Sequence, residues 1–161
     1  VTLYDQEPIH SLTVRAMTLQ IAPLAPEDRL PWETLARGYK TFYKTEATPE
    51  QYETAWQRLL KRDEVYGLGA RLDGRLVGIA HYLFHTGVWT PRYCYLQDLF
   101  VEPAQRGRGV ARALIQAVAA AARESGAQRY YWLTQEHNHT ARTLYDKVAQ
   151  FQGFIRYDHT L

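Results

Sequence analysis

Between a strand-like run that ends at Val101 and a helical pattern that begins near Gly109 lies Gln105-Arg106-Gly107-Arg108-Gly109-Val110-Ala111. Gly107 and Gly109 let the backbone turn tightly and let a ligand come close to the main chain. The helix that follows presents unpaired N–H groups and the positive end of its dipole at the same place, which suits a pyrophosphate. Two familiar phosphate loops do not fit. A nucleotide-hydrolysing loop ends Gly-Lys-Ser/Thr so that the lysine reaches the terminal phosphates, and this one ends Gly-Val-Ala. A dinucleotide site opens the first βαβ unit of a chain and carries an acidic residue about 20 positions on, where this sequence reads Tyr130-Tyr131-Trp132-Leu133-Thr134. The other reading is a tight strand-to-helix turn with no ligand.

The elements that must position this loop follow from periodicity. Thr18–Leu24 alternates and then meets Pro23 and Pro26, which predicts a short strand. Trp32, Leu35, Ala36, Tyr39, Phe42 and Tyr43 recur at helical spacing. Thr48, Pro49 and Gln51 form a capping box for a second helix carrying Tyr52, Ala55, Trp56, Leu59 and Leu60. Tyr66–Leu72 and Arg75–Phe84 predict a hairpin joined by Asp73-Gly74. Tyr93–Val101 predicts a strand, and a helix follows with Val110, Leu114, Ala117, Val118 and Ala121 on one face and Gly126 past its C-cap. Tyr130–Thr134 reads as a buried strand, Asn138–Ala149 as a helix and Phe154–Leu161 as a final strand. The order β-α-α-β-β-β-α-β-α-β implies an α/β fold with a mixed sheet, in which Tyr93 to Thr134 is a right-handed parallel crossover.

Composition excludes several classes. The chain has 161 residues, 46% hydrophobic and 22% charged, as expected of one ordinary domain. Nineteen Lys and Arg against seventeen Asp and Glu leave a net charge of +2, which predicts neither a nucleic-acid nor a membrane partner. The single cysteine, Cys94, and the lack of a signal-like or membrane-length apolar run predict a cytoplasmic location. Residues 1–17, ending at the only methionine, Met17, are expected to be an extension outside a single domain spanning 18–161.

At the loop a resemblance becomes specific. Arg106-x-x-Gly109-x-Ala111 resembles the Q/R-x-x-G-x-G/A signature of the GNAT N-acetyltransferases, and Tyr95-Leu96-Gln97-Asp98-Leu99-Phe100-Val101-Glu102-Pro103 resembles the family's fourth strand. Asn138-His139-Thr140-Ala141-Arg142-Thr143-Leu144-Tyr145-Asp146-Lys147 is similar to its N-x-x-A-x-x-L-Y-x-K helix, and Gly153-Phe154 to its terminal G-F. The resemblance covers residues 18 to 161 and is nearest to the branch of polyamine acetyltransferases and yeast histone and D-amino-acid acetyltransferases. Gly153 lies eight residues after Tyr145 rather than four, which predicts a longer helix or a short loop before the last strand.

The resemblance implies a GNAT fold whose central parallel strands splay apart to admit the pantetheine of acetyl-CoA. It implies that the backbone of Leu99, Phe100 and Val101 holds the pantetheine and polarises the thioester carbonyl. Amides from Arg106 through Gly107, Arg108, Gly109, Val110 and Ala111 to Arg112 would bind the pyrophosphate. It implies further that Asn138 caps its helix and touches the cofactor, and that Tyr145 protonates the departing thiolate as general acid. A plain core tyrosine and a plain N-cap are the alternatives. An alkylammonium has a pKa near ~10.4, so its proton needs a destination. Related polyamine enzymes have Glu where this chain has Gln97. Asp98 is therefore the first candidate base, with Glu136 or a water held by Gln97 behind it.

The expected reaction is direct transfer of an acetyl group to a primary amine, whether a polyamine, an amino acid or a lysine side chain. The alternatives are a non-catalytic acyl-CoA-binding module on the same fold and a nucleotide-binding protein. No metal is expected, because His137 and His139 lack a third ligand at fitting spacing. Glu46, Glu50 and Glu53 could attract a cationic amine or merely solvate a helix start. A homodimer, formed through the C-terminal strand, is the family-based expectation.

Overall fold

A computed structural model describes residues 17–161; the expected extension lies almost wholly outside the described residues. Strand β1 (Leu19–Pro23) leads through a short 3-10 turn into α1 (Arg29–Phe42) and then α2 (Pro49–Lys61). Strands β2 (Val65–Leu72), β3 (Arg75–His85) and β4 (Tyr93–Val101) follow, then α3 (Val110–Glu124), β5 (Arg129–Trp132) and α4 (His139–Val148). The sheet order is β1-β2-β3-β4-β5, antiparallel except for the parallel pair β4–β5. This is the mixed α/β sheet read from the sequence.

Local chemistry accounts for the elements. Thr48 caps α2, its hydroxyl accepting from the Gln51 N–H while the Gln51 side chain accepts from the Thr48 N–H. Asp73 and Gly74 turn the β2–β3 hairpin with φ of 48° and 84°, the left-handed pair that a two-residue turn requires. At the start of α1 the buried carboxylate of Asp28 accepts from the Ala25 N–H and pairs with Arg71 on β2, fixing where the helix leaves the sheet.

The sheet divides two cores. On one face Val77, Cys94, Leu96, Val110, Leu114 and Val118 pack under α3, with Leu144, Tyr145 and Val148 of α4 against them. On the other, Trp32, Leu35, Trp56, Leu59 and Ile79 lie under α1 and α2. Fully buried aliphatics such as Leu114 contribute about 1.5–3 kcal/mol each.

Two expectations need correction, and a third, left open between two readings, is resolved. The last strand, Phe154–Leu161, does not form: the chain from Gln150 onward has no regular structure, and Phe151, Phe154, Ile155, Tyr157 and Leu161 are exposed. A strand needs a partner, and this segment pairs with no strand among the described residues. The strand read as buried over Tyr130–Thr134 is the four-residue sheet edge β5, only half-buried. Of the longer helix and the short loop expected after Tyr145, the loop is what occurs: α4 ends three residues after Tyr145, and a loop through Gly153 takes up the extra spacing.

Candidate active site

The site begins with a fault in the sheet. His81 pairs with Asp98 and Tyr82 with Leu96, so Gln97 is an extra residue on β4, a bulge. The β4–β5 ladder stops at Leu96 and Trp132, level with that bulge. Beyond it Leu99, Phe100 and Val101 pair only with Ala80, Ile79 and Gly78 of β3. Their other edge faces a gap. A parallel ladder that ends level with a bulge, leaving one edge of β4 unpaired beyond it, is the arrangement that the implied splay calls for.

Tyr39 and Tyr43 of α1, Leu96, Gln97 and Leu99 of β4, Trp132 and Leu133 at the end of β5, and Tyr145 of α4 line a gap of about 20 Å³. The α1 tyrosines reach it because Gly38 rests on Phe100; a Cβ there would lie 2.7 Å from the ring. Tyr145 packs edge-on to Trp132 at 5.4 Å. Burial, with Tyr43 nearby, pushes its pKa up to about 12, so the phenol keeps its proton.

Asp98 lies just behind the gap, its Oδ2 2.9 Å from His81 Nδ1. Burial pushes its pKa up, but the hydrogen bond from His81, the nearby Tyr39 hydroxyl and the charge of Lys40 outweigh that and hold it below the usual carboxylate range. Even an ordinary carboxylate sits about 6 units below an alkylammonium, roughly 9 kcal/mol uphill. Asp98 is therefore a poor first base. Gln97 is exposed and reaches the gap. Glu136 is exposed and lines neither the gap nor the groove beside it, and only its backbone carbonyl is engaged, by Arg142.

The loop before α3 suits a diphosphate. Gly107 and Gly109 have φ of 76° and 79°, and nothing lies within 4 Å of where their Cβ atoms would be. Gly109 is the N-cap of α3 and offers no side chain to its first amides, those of Val110, Ala111 and Arg112. Arg106, Arg108 and Arg112 surround them without a carboxylate partner among the described residues. Arg106 donates to the Val101 carbonyl at 3.1 Å and lies over Phe100, so its side chain braces the end of β4. Val110 itself is buried and serves through its main chain. These residues fit acetyl-CoA, which supplies the activated acetyl group when bound.

Asn138 caps α4 as expected, accepting from the Ala141 N–H and donating to Thr134 Oγ1 at 3.1 Å, which ties the helix back to the end of β5. Cys94 is fully buried, its thiol pushed up to about 11 by burial, as befits a packing residue. No cluster of metal-ligating side chains occurs among the described residues. The sequence reading missed His81 altogether. Its only signal was a histidine within the otherwise apolar run of β3, opposite the bulge.

Beside the gap, sharing Tyr43 with it, is an open groove of about 530 Å³ lined by Phe42, Lys44, Gln135, His137, Asn138, His139 and Thr140. It holds no carboxylate. Glu46, Glu50 and Glu53 are not in it, and Glu53 instead pairs with Arg29 at 3.2 Å.

Residues 32–151 match the acetyltransferase (GNAT) family. The chain is 36% identical to the D-amino-acid N-acetyltransferase of Saccharomyces cerevisiae over 80% of its own length and 83% of that protein. It is 29% identical to the thialysine N-epsilon-acetyltransferase of Caenorhabditis elegans over 55% and 56%. Among solved structures it resembles a ribosomal-protein-alanine N-acetyltransferase from Brucella melitensis, at TM-score 0.73 and 24% identity over 89% of this chain and all of that one. It also resembles an aminoglycoside N-acetyltransferase in complex with CoA, at TM-score 0.76 and 19% identity over 93% and 96%. This chain thus belongs to the acetyltransferase (GNAT) family and is an N-acetyltransferase that draws its acetyl group from acetyl-CoA.

Proposed function

We propose that the acceptor is a free amino acid, whose amine enters the gap beside Tyr145 while its carboxylate lies in the adjoining groove. The observation that carries this is the groove's lining: Lys44, His137 and His139 with no acidic side chain. A polyamine would need the reverse, carboxylates to neutralise its second charge. Two of the relatives are named for amino-acid acceptors, D-amino acids and thialysine.

The donor enters from the α3 side, its diphosphate on the amides of Val110 to Arg112 and its pantetheine along the free edge of Leu99–Val101. The acceptor comes from the α1 side. Main-chain N–H groups on that free edge polarise the thioester carbonyl. The amine attacks directly, with no covalent enzyme intermediate, and Tyr145 gives its proton to the leaving sulfur.

Release of free thiol from acetyl-CoA with a panel of amino acids of both hands, polyamines, aminoglycosides and histone-tail peptides tests the reading. Amino acids as the best acceptors by kcat/KM are the expected result; polyamines in that place would overturn it. Lys44→Glu should raise KM for amino acids about tenfold and leave KM for acetyl-CoA unchanged, since one surface charge pair near a substrate carboxylate contributes on the order of 1–2 kcal/mol.

The exposed side chains after Gln150 make a partner copy the natural cover for this segment. Five large apolar residues, Phe151, Phe154, Ile155, Tyr157 and Leu161, project into water beyond a sheet that ends at the open edge of β5. We place the segment against a second copy of the chain, where pairing would satisfy both the edge and the apolar side chains. Sedimentation at micromolar concentration should give a dimer, and Phe154→Ser with Ile155→Ser should give a monomer.

A further inference from the structure

Asp98 stands on the face of β4 opposite to the one a regular strand would give it. Cys94 and Leu96 belong to the core under α3, and by simple alternation Asp98 would join them. Instead Leu99 and Val101 continue that core, while Phe100 packs with the residues under α1 and α2. The extra residue at Gln97 accounts for the change, because a shift of one residue exchanges the two faces of everything beyond it. Without the bulge, the Asp98 carboxylate would be turned into the apolar core that holds Val77 and Leu114.

On the α1 side the carboxylate meets a partner whose hydrogen bonds have only one possible direction. The indole N–H of Trp32 lies 2.9 Å from His81 Nε2. An indole can only donate, so Nε2 accepts and the ring proton sits on Nδ1. Nδ1 lies 2.9 Å from Asp98 Oδ2 and donates to it. His81 and Asp98 are also direct partners in the β3–β4 ladder, the pair next to the register shift. Trp32 is 2% exposed and packs on Trp56 at 5.0 Å, so the far end of the chain is anchored in the core under α1 and α2.

We propose that Trp32, His81 and Asp98 are positioning residues that lock β4 into its bulged register and so set the edge that receives the donor. Alternate residues of a strand turn their N–H and C=O groups to opposite edges, so register decides which main-chain groups of Leu99, Phe100 and Val101 face the gap. One residue more or fewer ahead of them would exchange the groups bonded to β3 for those that meet the thioester. A buried polar pair is suited to specify register, because any other register strands it. The same lock ties β4 to α1, which brings Tyr39 and Tyr43 to the acceptor side of the gap. Asp98 itself does not line the gap; it acts through the strand that carries it. The inference rests on the donor placement proposed above and not on which amine is used.

A pair of substitutions and one spectrum decide the matter. Asp98→Asn keeps an oxygen to accept from Nδ1–H and discards the charge, so its kcat for thiol release should stay within about threefold of wild type. Asp98→Ala offers no acceptor and should lose at least about tenfold in kcat, because misplacing a bound reactant is costly. KM for acetyl-CoA should stay within about threefold in both, since the diphosphate is held separately at the start of α3. Rates are counted per molecule able to bind acetyl-CoA, at a temperature where melting curves show each variant folded. A contact that only adds stability would lower the melting temperature of Asp98→Ala and leave that kcat unchanged, which would overturn the positioning role. Asp98→Asn as impaired as Asp98→Ala would overturn it too, by making the charge the requirement. Long-range proton–nitrogen correlation of the histidine rings in ligand-free protein, with His81 assigned through His81→Asn, should show the Nδ1–H tautomer. An Nε2–H ring would break the lock at its centre, and this result and that of Asp98→Asn stand even if Asp98→Ala does not fold. Arg112→Glu separates the two readings: undiminished acetyl-CoA affinity there removes the donor placement, whereas weakened affinity beside a failed Asp98 pair sinks the lock alone.

Discussion

Tyr145→Phe is expected to lower kcat by about 10²–10³-fold while the dissociation constant for acetyl-CoA stays within about threefold of wild type. The phenol stands at the gap against Trp132, and Phe keeps the ring, its edge-on contact and its share of the α4 packing. Only the hydroxyl is removed, so binding and fold are preserved and the proton for the departing sulfur is not. The pH profile gives an independent check. A tyrosine at its ordinary pKa near ~10 would lose half its protons at pH 10, and a rate that needs the phenol would fall there. Burial has raised Tyr145 to about 12, so the neutral, donating form persists and is lost only as pH rises through that value. The wild-type kcat should therefore show no alkaline decline between pH 8 and 10. Stopped-flow measurement of thiol release and equilibrium titration with acetyl-CoA separate the two quantities. A variant with kcat within about threefold of wild type would remove Tyr145 from the chemistry.

The parts of this molecule legible in its sequence are those set by neighbours along the chain. The capping box at Thr48, the Asp73-Gly74 hairpin, the Gly126 stop and the glycine loop before α3 are local chemistry, and each occurs where its residues predict. What was hidden depends on residues far apart. The bulge at Gln97 exists only as a mismatch between β3 and β4, so no pattern within Tyr93–Val101 reveals it. The route from Trp32 through His81 to Asp98 joins positions 49 and then 17 residues apart on three elements. Gly38 reads as a weak point in a helix, and only Phe100 explains it. The C-terminal segment misled for a related reason: Phe154–Leu161 has a strand's composition, but composition does not supply a partner edge.

The same distinction between local and distant forces makes Arg112→Glu informative, because the two should act with opposite sign. Arg112 is exposed, in the first turn of α3, and has no carboxylate partner among the described residues. A glutamate there lies near the positive end of the helix dipole, where a carboxylate stabilises by about 0.3–1 kcal/mol and an arginine does not. The melting temperature of the free protein should therefore hold or rise slightly. The cofactor's diphosphate would occupy the same end of the helix and carries charge of the same sign as the new side chain. Losing one cation and gaining one anion beside it, each change worth on the order of 1–2 kcal/mol near a surface, weakens acetyl-CoA binding by about thirtyfold to a thousandfold. Raising the ionic strength should narrow the gap between variant and wild type, since charges at an exposed loop are screened over about 10 Å at 0.1 M salt. With acetyl-CoA saturating, kcat should recover to near the wild-type value, because Arg112 is remote from the gap lined by Tyr39, Gln97 and Tyr145. Calorimetric binding at two salt concentrations and a thermal melt of the free protein test both signs together. A variant that binds acetyl-CoA as tightly as wild type would show that the diphosphate does not sit at the start of α3.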